Sequence, residues 1–130
     1  MTNYVADTHS LLWYFARPQR LGLNAAEAFA QVAAGTADLI VPLIVLAEII
    51  IALEHKPASA NLDYILEQLQ NSPHVNIIDL SLARVFDLQK LTIISDMHDR
   101  FIVAEAIAHN AMLITIDRTI TDSGLIDVVW

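Results

Sequence analysis

The sequence predicts an α/β fold, a three-layer α/β/α sandwich with a mostly parallel sheet of four to five strands. Short apolar runs alternate along the chain with longer segments of helical pattern. No repeat, low-complexity tract or linker interrupts this alternation. Hydrophobic residues make up 55% of the 130 residues, which is enough for a sizeable core. We therefore expect a single domain over residues 1–130.

Five short apolar runs, rich in Val, Ile and Leu, have the length and composition of buried strands. They are residues 3–7, 38–42, 74–80, 111–117 and 125–130. Helical segments separate the first four runs. These strands are therefore expected to be parallel and joined by right-handed crossovers, with helices on both faces of the sheet.

Six segments have the apolar spacing or the boundary residues of helices. They are residues 10–16, 24–35, 43–55, 59–72, 81–91 and 97–110. Pro18 closes the first of these segments. Asn24 is the expected N-cap of the second and Gly35 its expected end. Ser59 is the expected N-cap of the fourth.

Two acidic residues stand at the carboxyl ends of predicted strands, where parallel sheets bind their ligands. Asp7 ends the run "NYVAD", and Asp117 ends the run "AMLITID". Each residue also has a purely local explanation, because Asp is a favoured N-cap of a following helix. The residues alone leave both interpretations open.

Three further acids belong to helices. Glu48 lies in "LIVLAEIIIAL", a helix that is apolar on almost every face. A buried carboxylate there needs either a Lys or Arg partner or a metal ion. Asp96 and Asp99 are three residues apart at a helix start, so both can face the same side. Alternatively, Asp96 caps the helix and Asp99 interacts with its dipole.

The histidines beside these acids, His9 and His98, are expected to be polar neighbours of a site or surface residues. A hard cation that already has carboxylate oxygens available does not require them as ligands.

The overall charge is acidic, with 7 Lys and Arg against 15 Asp and Glu and a net charge of −8. Such a surface repels nucleic acid. Either these acids simply keep the protein soluble, or some of them cluster and need a cation. The absence of Cys excludes disulfides and thiolate metal sites.

The mean hydropathy of +0.49 is high for a monomer and suggests an apolar interface. The helices containing "SLLWYF" and "SANLDYILEQL" are the expected surfaces. The longest apolar stretch, residues 39–53, is too short to span a bilayer and is broken by Pro42 and Glu48. The start "MTNY" lacks the basic flank of a signal peptide, so a cytoplasmic protein is expected.

Four stretches together resemble the PIN-domain family, specifically the VapC-like toxins of toxin–antitoxin pairs. They are "YVADTHSLLWYF", "VPLIVLAEI", "DMHDRFIVAEAIAHNAMLIT" and "ITIDRTI", and they cover residues 3 to about 120. The resemblance implies a parallel α/β/α fold. One departure is Met97-His98, which stands where the family commonly has Pro-Phe.

The resemblance also implies a metal-dependent endoribonuclease, with one or two Mg²⁺ or Mn²⁺ ions in the site. The implied metal-binding and catalytic carboxylates are Asp7, Glu48, Asp99 and Asp117, with Asp96 as an auxiliary ligand. Thr115 matches a small hydroxyl residue beside the last acid.

The substrate would be RNA, and the expected partners are a second copy of the chain and an antitoxin that covers the acidic pocket. The arginines that RNA could meet are Arg17, Arg20, Arg100 and Arg118, although ordinary surface ion pairing explains them equally well. The alternative function is a catalytically silent PIN-like module that acts only by binding. A receiver domain is disfavoured because strand one offers only Asp7 and "LITIDRT" offers no Lys.

Overall fold

The computed structural model describes residues 1–130 and contains one five-stranded sheet. Its strands are β1 (Thr2–Ala6), β2 (Ala37–Pro42), β3 (Val75–Ile78), β4 (Met112–Ile114) and β5 (Val128–Val129). They pair in the order β3-β2-β1-β4-β5, and every pair is parallel. The prediction of an α/β fold with a parallel sheet of four to five strands is confirmed.

Seven α-helices connect the strands. They are α1 (Thr8–Ala16), α2 (Leu23–Ala34), α3 (Leu43–His55), α4 (Leu62–Asn71), α5 (Leu82–Asp87), α6 (Met97–Ala108) and α7 (Arg118–Ser123). The first six were predicted. The sequence analysis missed α7, because "RTITDS" is short and polar and has no apolar periodicity. None of these helices combines the length and the apolar composition that crossing a membrane requires.

The strand order contains a reversal between β1 and β4. The chain moves from β1 through β2 to β3 at one edge, then returns to β4 beside β1 and ends with β5 at the other edge. Because parallel crossovers are right-handed, the two directions of travel place helices on opposite faces. Ligands of such sheets bind where the strand order reverses, beyond the carboxyl ends of the strands.

The helix α6 is the most deeply buried helix of the fold. Six consecutive residues, Phe101–Ala106, are buried, and α6 packs against both β1 and β4. The one acidic side chain in this run, Glu105, is only 5% exposed and pairs with His109 at 3.1 Å and Arg84 at 3.4 Å. These contacts hold α6 so that its first turn lies near the carboxyl ends of β1 and β4.

Two of the predicted helix starts are wrong. The helix α2 begins at Leu23 with Gly22 as its N-cap, which puts Asn24 inside the first turn. The helix α4 is capped by Asn61 and not by Ser59. Ser59 instead belongs to the turn that follows α3, because its N–H donates to the Lys56 carbonyl at 3.1 Å.

The cap of α4 gives a direct stability test. The Asn61 side chain accepts a hydrogen bond from the Tyr64 N–H at 3.1 Å, so Asn61→Ala should lower the free energy of unfolding by about 1 kcal/mol. Ser59→Ala is the matched control and should change it by less than about 0.5 kcal/mol. Urea unfolding followed by circular dichroism measures both, and a larger loss for Ser59→Ala would contradict the assignment.

Candidate active site

Asp7 lies at the end of β1 and is both a helix cap and a member of the candidate site. One carboxylate oxygen accepts from the Ser10 N–H at 2.9 Å, which caps α1. The other accepts a hydrogen bond from the Thr115 hydroxyl. Burial raises the pKa of Asp7, while the bonds from Thr115 and Ser10 oppose that shift. The local and the functional interpretation therefore describe the same side chain.

Thr115 connects the ends of β1 and β4. Its hydroxyl donates to Asp7 and accepts from the Asp117 N–H at 3.0 Å. The Asp117 carboxylate in turn accepts from the Ile120 N–H at 2.9 Å and caps α7. Thr115 is completely buried. These hydrogen bonds give Thr115 a positioning role for Asp7 and Asp117.

Glu48 has different surroundings from those the sequence suggested. Its side chain is 31% exposed, because the face of α3 that carries it borders a cleft and not the core. The Thr8 hydroxyl donates to one carboxylate oxygen at 2.6 Å, and the imidazole Nδ1 of His98 lies 3.2 Å from the other. No Lys or Arg is within salt-bridge distance. The alternative of a Lys or Arg partner for Glu48 is therefore not met, whereas Arg84 pairs with Asp87 and Glu105.

Asp96 and Asp99 begin α6. Asp96 is the N-cap and accepts from the Asp99 N–H at 2.9 Å. The Asp99 carboxylate accepts no hydrogen bond and forms no ion pair. Burial and the negative charges of four other carboxylates raise the pKa of Asp99 to about 6. Those carboxylates, in order of their effect, belong to Asp96, Asp117, Glu48 and Asp7.

This electrostatic coupling shows that the fold brings all five predicted acids together. We call Asp7, Glu48, Asp96, Asp99 and Asp117 the acid cluster. It lies in a cleft of about 1110 Å³ between α1, α3 and the first turn of α6. Asp99 is the one member whose carboxylate accepts no hydrogen bond.

Three cations line the same cleft, namely Arg17, Arg20 and Lys56. None of them is in a salt bridge. Arg84 is the only Lys or Arg of the chain in a salt bridge, so what distinguishes these three cations is their position in the cleft of the acid cluster and not their lack of an ion pair.

The other two arginines named from the sequence lie outside the cleft lining. Arg100 donates from its guanidinium to the carbonyls of Ile94 and Leu88, which fixes the segment before α6. These bonds give Arg100 a structural role, and its expected contact with RNA stays a prediction. Arg118 is exposed at the start of α7.

The PIN-domain family model matches residues 4–123 of the chain. The chain belongs to the PIN-domain family.

A toxin–antitoxin complex from Klebsiella pneumoniae contains a similar fold, with a TM-score of 0.70 and 19% identity over 98% of this chain and 96% of that one. The VapBC2 complex of Rickettsia felis, bound to a promoter DNA fragment, gives 0.69 and 19% over 98% and 97%. The DNA-bound VapBC of Salmonella typhimurium gives 0.69 and 14% over the same shares. No curated protein sequence matches the chain significantly.

The acid cluster of this PIN domain fits a hard divalent cation in its chemistry. Mg²⁺ and Mn²⁺ prefer carboxylate oxygens, and a cation would relieve the mutual repulsion that the Asp99 pKa reveals. The side chains are nevertheless not arranged as a finished metal cage, since no group of three or more His, Asp or Glu is placed to hold an ion. Hydrogen bonds from Thr115, Thr8 and Ser10 hold the oxygens of Asp7 and Glu48.

Several members of the site were not identified from the sequence. Thr8 and Ser10 lie inside the quoted motif "DTHS", yet only the geometry assigns them as donors to Glu48 and Asp7. Lys56, which directly follows the predicted helix over residues 43–55, also lines the cleft. The local signal for Thr8 was its position directly after the strand-terminal Asp7.

The raised pKa of Asp99 predicts a characteristic dependence of stability on pH. Between its ordinary value of 3.8 and about 6, the folded protein binds a proton that the unfolded chain has released. The free energy of unfolding of the metal-free protein therefore falls as pH rises through this window. Allowing for solvent screening of a partly exposed group, the loss is about 1–2 kcal/mol. Asp99→Asn should remove it.

Thermal or urea unfolding in EDTA at pH 5 and pH 7.5 measures this difference. Asp99→Asn should be more stable than the wild type at pH 7.5 and by only about half that margin at pH 5, because pH 5 lies midway through the window. Asp122→Asn, an exposed acid on α7 outside the cleft, is the control and should follow the wild type at both pH values. Parallel pH profiles of the wild type and Asp99→Asn would contradict the charge coupling.

Proposed function

We propose that this PIN domain is a metal-dependent endoribonuclease that hydrolyses RNA phosphodiester bonds as the toxin of a toxin–antitoxin pair. The observation that supports it most is the acid cluster, five coupled carboxylates at the strand reversal of the sheet. Burying and crowding like charges costs stability, and a fold retains such a cluster where the charges bind a ligand. The family membership of residues 4–123 supports the same function.

The residues proposed to hold one or two Mg²⁺ or Mn²⁺ ions are Asp7, Glu48, Asp99 and Asp117, with Asp96 as an auxiliary ligand. When bound, such an ion lowers the pKa of a water molecule and offsets negative charge on the phosphate. The chain itself contributes orientation. Thr115 holds Asp7, while Thr8 and His98 hold Glu48 from its two oxygens.

The unpaired cations of the cleft provide the attraction for RNA that the net charge of −8 would otherwise prevent. Arg17, Arg20 and Lys56 are free to contact phosphates, because no acid neutralises them. The acid cluster itself would stop repelling the substrate once it is loaded with a divalent cation. Positive charge would then line both the floor and the rim of the cleft.

The second candidate function is a PIN-like module that binds without cleaving. It is favoured by one observation, that no three acidic or histidine side chains are already placed to hold a metal ion. Cleavage assays separate the two candidates.

Cleavage should depend on Mn²⁺ or Mg²⁺ and on Asp99 far more than on Asp96. Asp99→Asn should reduce the rate by more than about 100-fold, because Asp99 has no partner other than the proposed ion. Asp96→Asn should reduce it by about 10-fold, the lower end of the roughly 10–100-fold range for outer-shell changes, since Asn still caps α6. Single-stranded and structured RNAs are incubated with Mn²⁺, with Mg²⁺ and with EDTA, and fragments are quantified on gels. Equal losses in the two variants would contradict the assignment of Asp99, and no cleavage of any RNA by the wild type would support the binding module.

We further propose that the protein forms a homodimer and binds an antitoxin whose segment covers the cleft. The similar chains from Rickettsia felis and Salmonella typhimurium belong to VapBC complexes, which supports an antitoxin partner here. A small DNA-binding protein encoded in the adjacent reading frame would be the candidate. For the dimer, the structure suggests a surface that the sequence analysis did not name, the exposed face of α5. Leu82, Val85 and Phe86 are spaced i, i+3, i+4 there, and all three are exposed.

Light scattering coupled to gel filtration should give a dimer at micromolar concentration. Phe86→Ser should shift it toward monomer, because Phe86 is 57% exposed in the single chain and its burial would be lost. Tyr64→Ser on α4 is the matched control, since Tyr64 is 54% exposed on one of the surfaces expected from the sequence. A wild-type monomer would contradict the dimer, and dissociation by Tyr64→Ser alone would move the interface to α4.

A further inference from the structure

One wall of the cleft consists of side chains that lie against an aromatic ring and contains no acid. The guanidinium carbon of Arg20 lies 5.5 Å from the ring centroid of Trp13, and the ring of His9 lies 5.8 Å from that centroid. All three side chains line the same cleft as the acid cluster. We call His9, Trp13 and Arg20 the stacking wall.

Trp130 supports the stacking wall by packing against Trp13. Its ring meets Trp13 edge-on at 5.9 Å. Trp130 can occupy this position because residue 22 is Gly; a Cβ there would lie 2.6 Å from the Trp130 carbonyl carbon and 2.7 Å from its Cδ1. Trp13 therefore has a fixed support on the side away from the cleft. Such support lowers the entropy that a ligand must overcome when it stacks on the ring.

The polar groups of the wall have no partners within the chain. The side chains of Arg20 and His9 are exposed and form no hydrogen bond or salt bridge. Core packing explains Trp130 and the inner part of Trp13. It does not explain why the guanidinium of Arg20 lies over the Trp13 ring at the edge of an acid cluster.

We propose that the stacking wall binds an unpaired nucleobase of the RNA, next to the phosphate at which the acid cluster would act. This inference rests on the proposed function and specifies its substrate, an RNA that is single-stranded at that position. Unpaired bases stack on aromatic rings and on Arg guanidinium planes, and this stacking tolerates any base because every base has a π-face. A base inside a duplex has both faces covered and cannot use the wall.

The alternative role for Arg20 is a simple phosphate contact, which would need its charge but not its plane. Arg20→Lys separates the two roles, because Lys keeps the charge and loses the planar guanidinium. Arg20 is exposed and has no polar partner to lose, so the variant should fold normally.

Binding is measured by fluorescence anisotropy in the Asp99→Asn background with Mn²⁺, so that cleavage does not interfere. The probes are a labelled single-stranded RNA of about ten nucleotides and the same backbone with abasic residues. The intact RNA should bind roughly tenfold more tightly than the abasic one and should quench Trp fluorescence, which the abasic RNA should not. Arg20→Lys should reduce the tenfold preference to about threefold or less. Lys90→Ala, an exposed cation outside the cleft, should leave it unchanged.

Equal affinity for intact and abasic RNA would overturn the stacking wall, and so would a full preference retained by Arg20→Lys. Either result would leave the proposed nuclease standing if the wild type still cleaves RNA. Binding of neither RNA, together with no cleavage by the wild type, would overturn the proposed function and this inference with it.

Discussion

The pairing of β1 with β4 at the strand reversal is the constraint on which the rest of this molecule depends. It brings Asp7 and Asp117, which are far apart in sequence, to one edge of the sheet. The buried helix α6 packs against the same two strands, and its start places Asp96 and Asp99 near the ends of those strands. Thr115 then joins the two strand ends through a single hydroxyl. Without this pairing, the acids at the ends of β1 and β4 would not lie together.

Three of these acids are both helix caps and members of the acid cluster. Asp7, Asp96 and Asp117 each cap a helix through a backbone N–H three residues ahead. A cap requires only one carboxylate oxygen, so the second remains available to another partner. For Asp7 that partner is Thr115. The N–H groups at the caps also stabilise the ionised carboxylates, which offsets part of the repulsion between like charges in one cleft.

The charged form of Asp99 is destabilised by the rest of the acid cluster. It has neither a cap nor a cation, and four neighbouring carboxylates together with burial raise its pKa. Elsewhere in the chain the same problem is solved by pairing, as it is for Glu105 with Arg84 and His109. Glu105 is thus a carboxylate with two ion-pair partners, whereas Asp99 has none. Three cations without an ion pair, Arg17, Arg20 and Lys56, line the same cleft as Asp99.

The sequence by itself determined the alternation of strands and helices, because apolar runs and cap residues act over a few positions. It also determined which acids could form a cluster, since Asp7 and Asp117 end apolar runs and Asp96 and Asp99 begin a helix. It could not decide between cap and site for these residues, because both need the same side chain at the same place.

Only the tertiary structure decided the partners. Thr115 meets Asp7 across 108 residues of chain and Thr8 meets Glu48 across 40, and no local pattern encodes such contacts. The same holds for Arg100, which serves backbone carbonyls and not the cleft, and for Arg20, whose guanidinium lies over Trp13. Hydrogen-bonding and stacking partners depend on distances in space, and those distances exist only after the sheet has closed and the helices have packed on it.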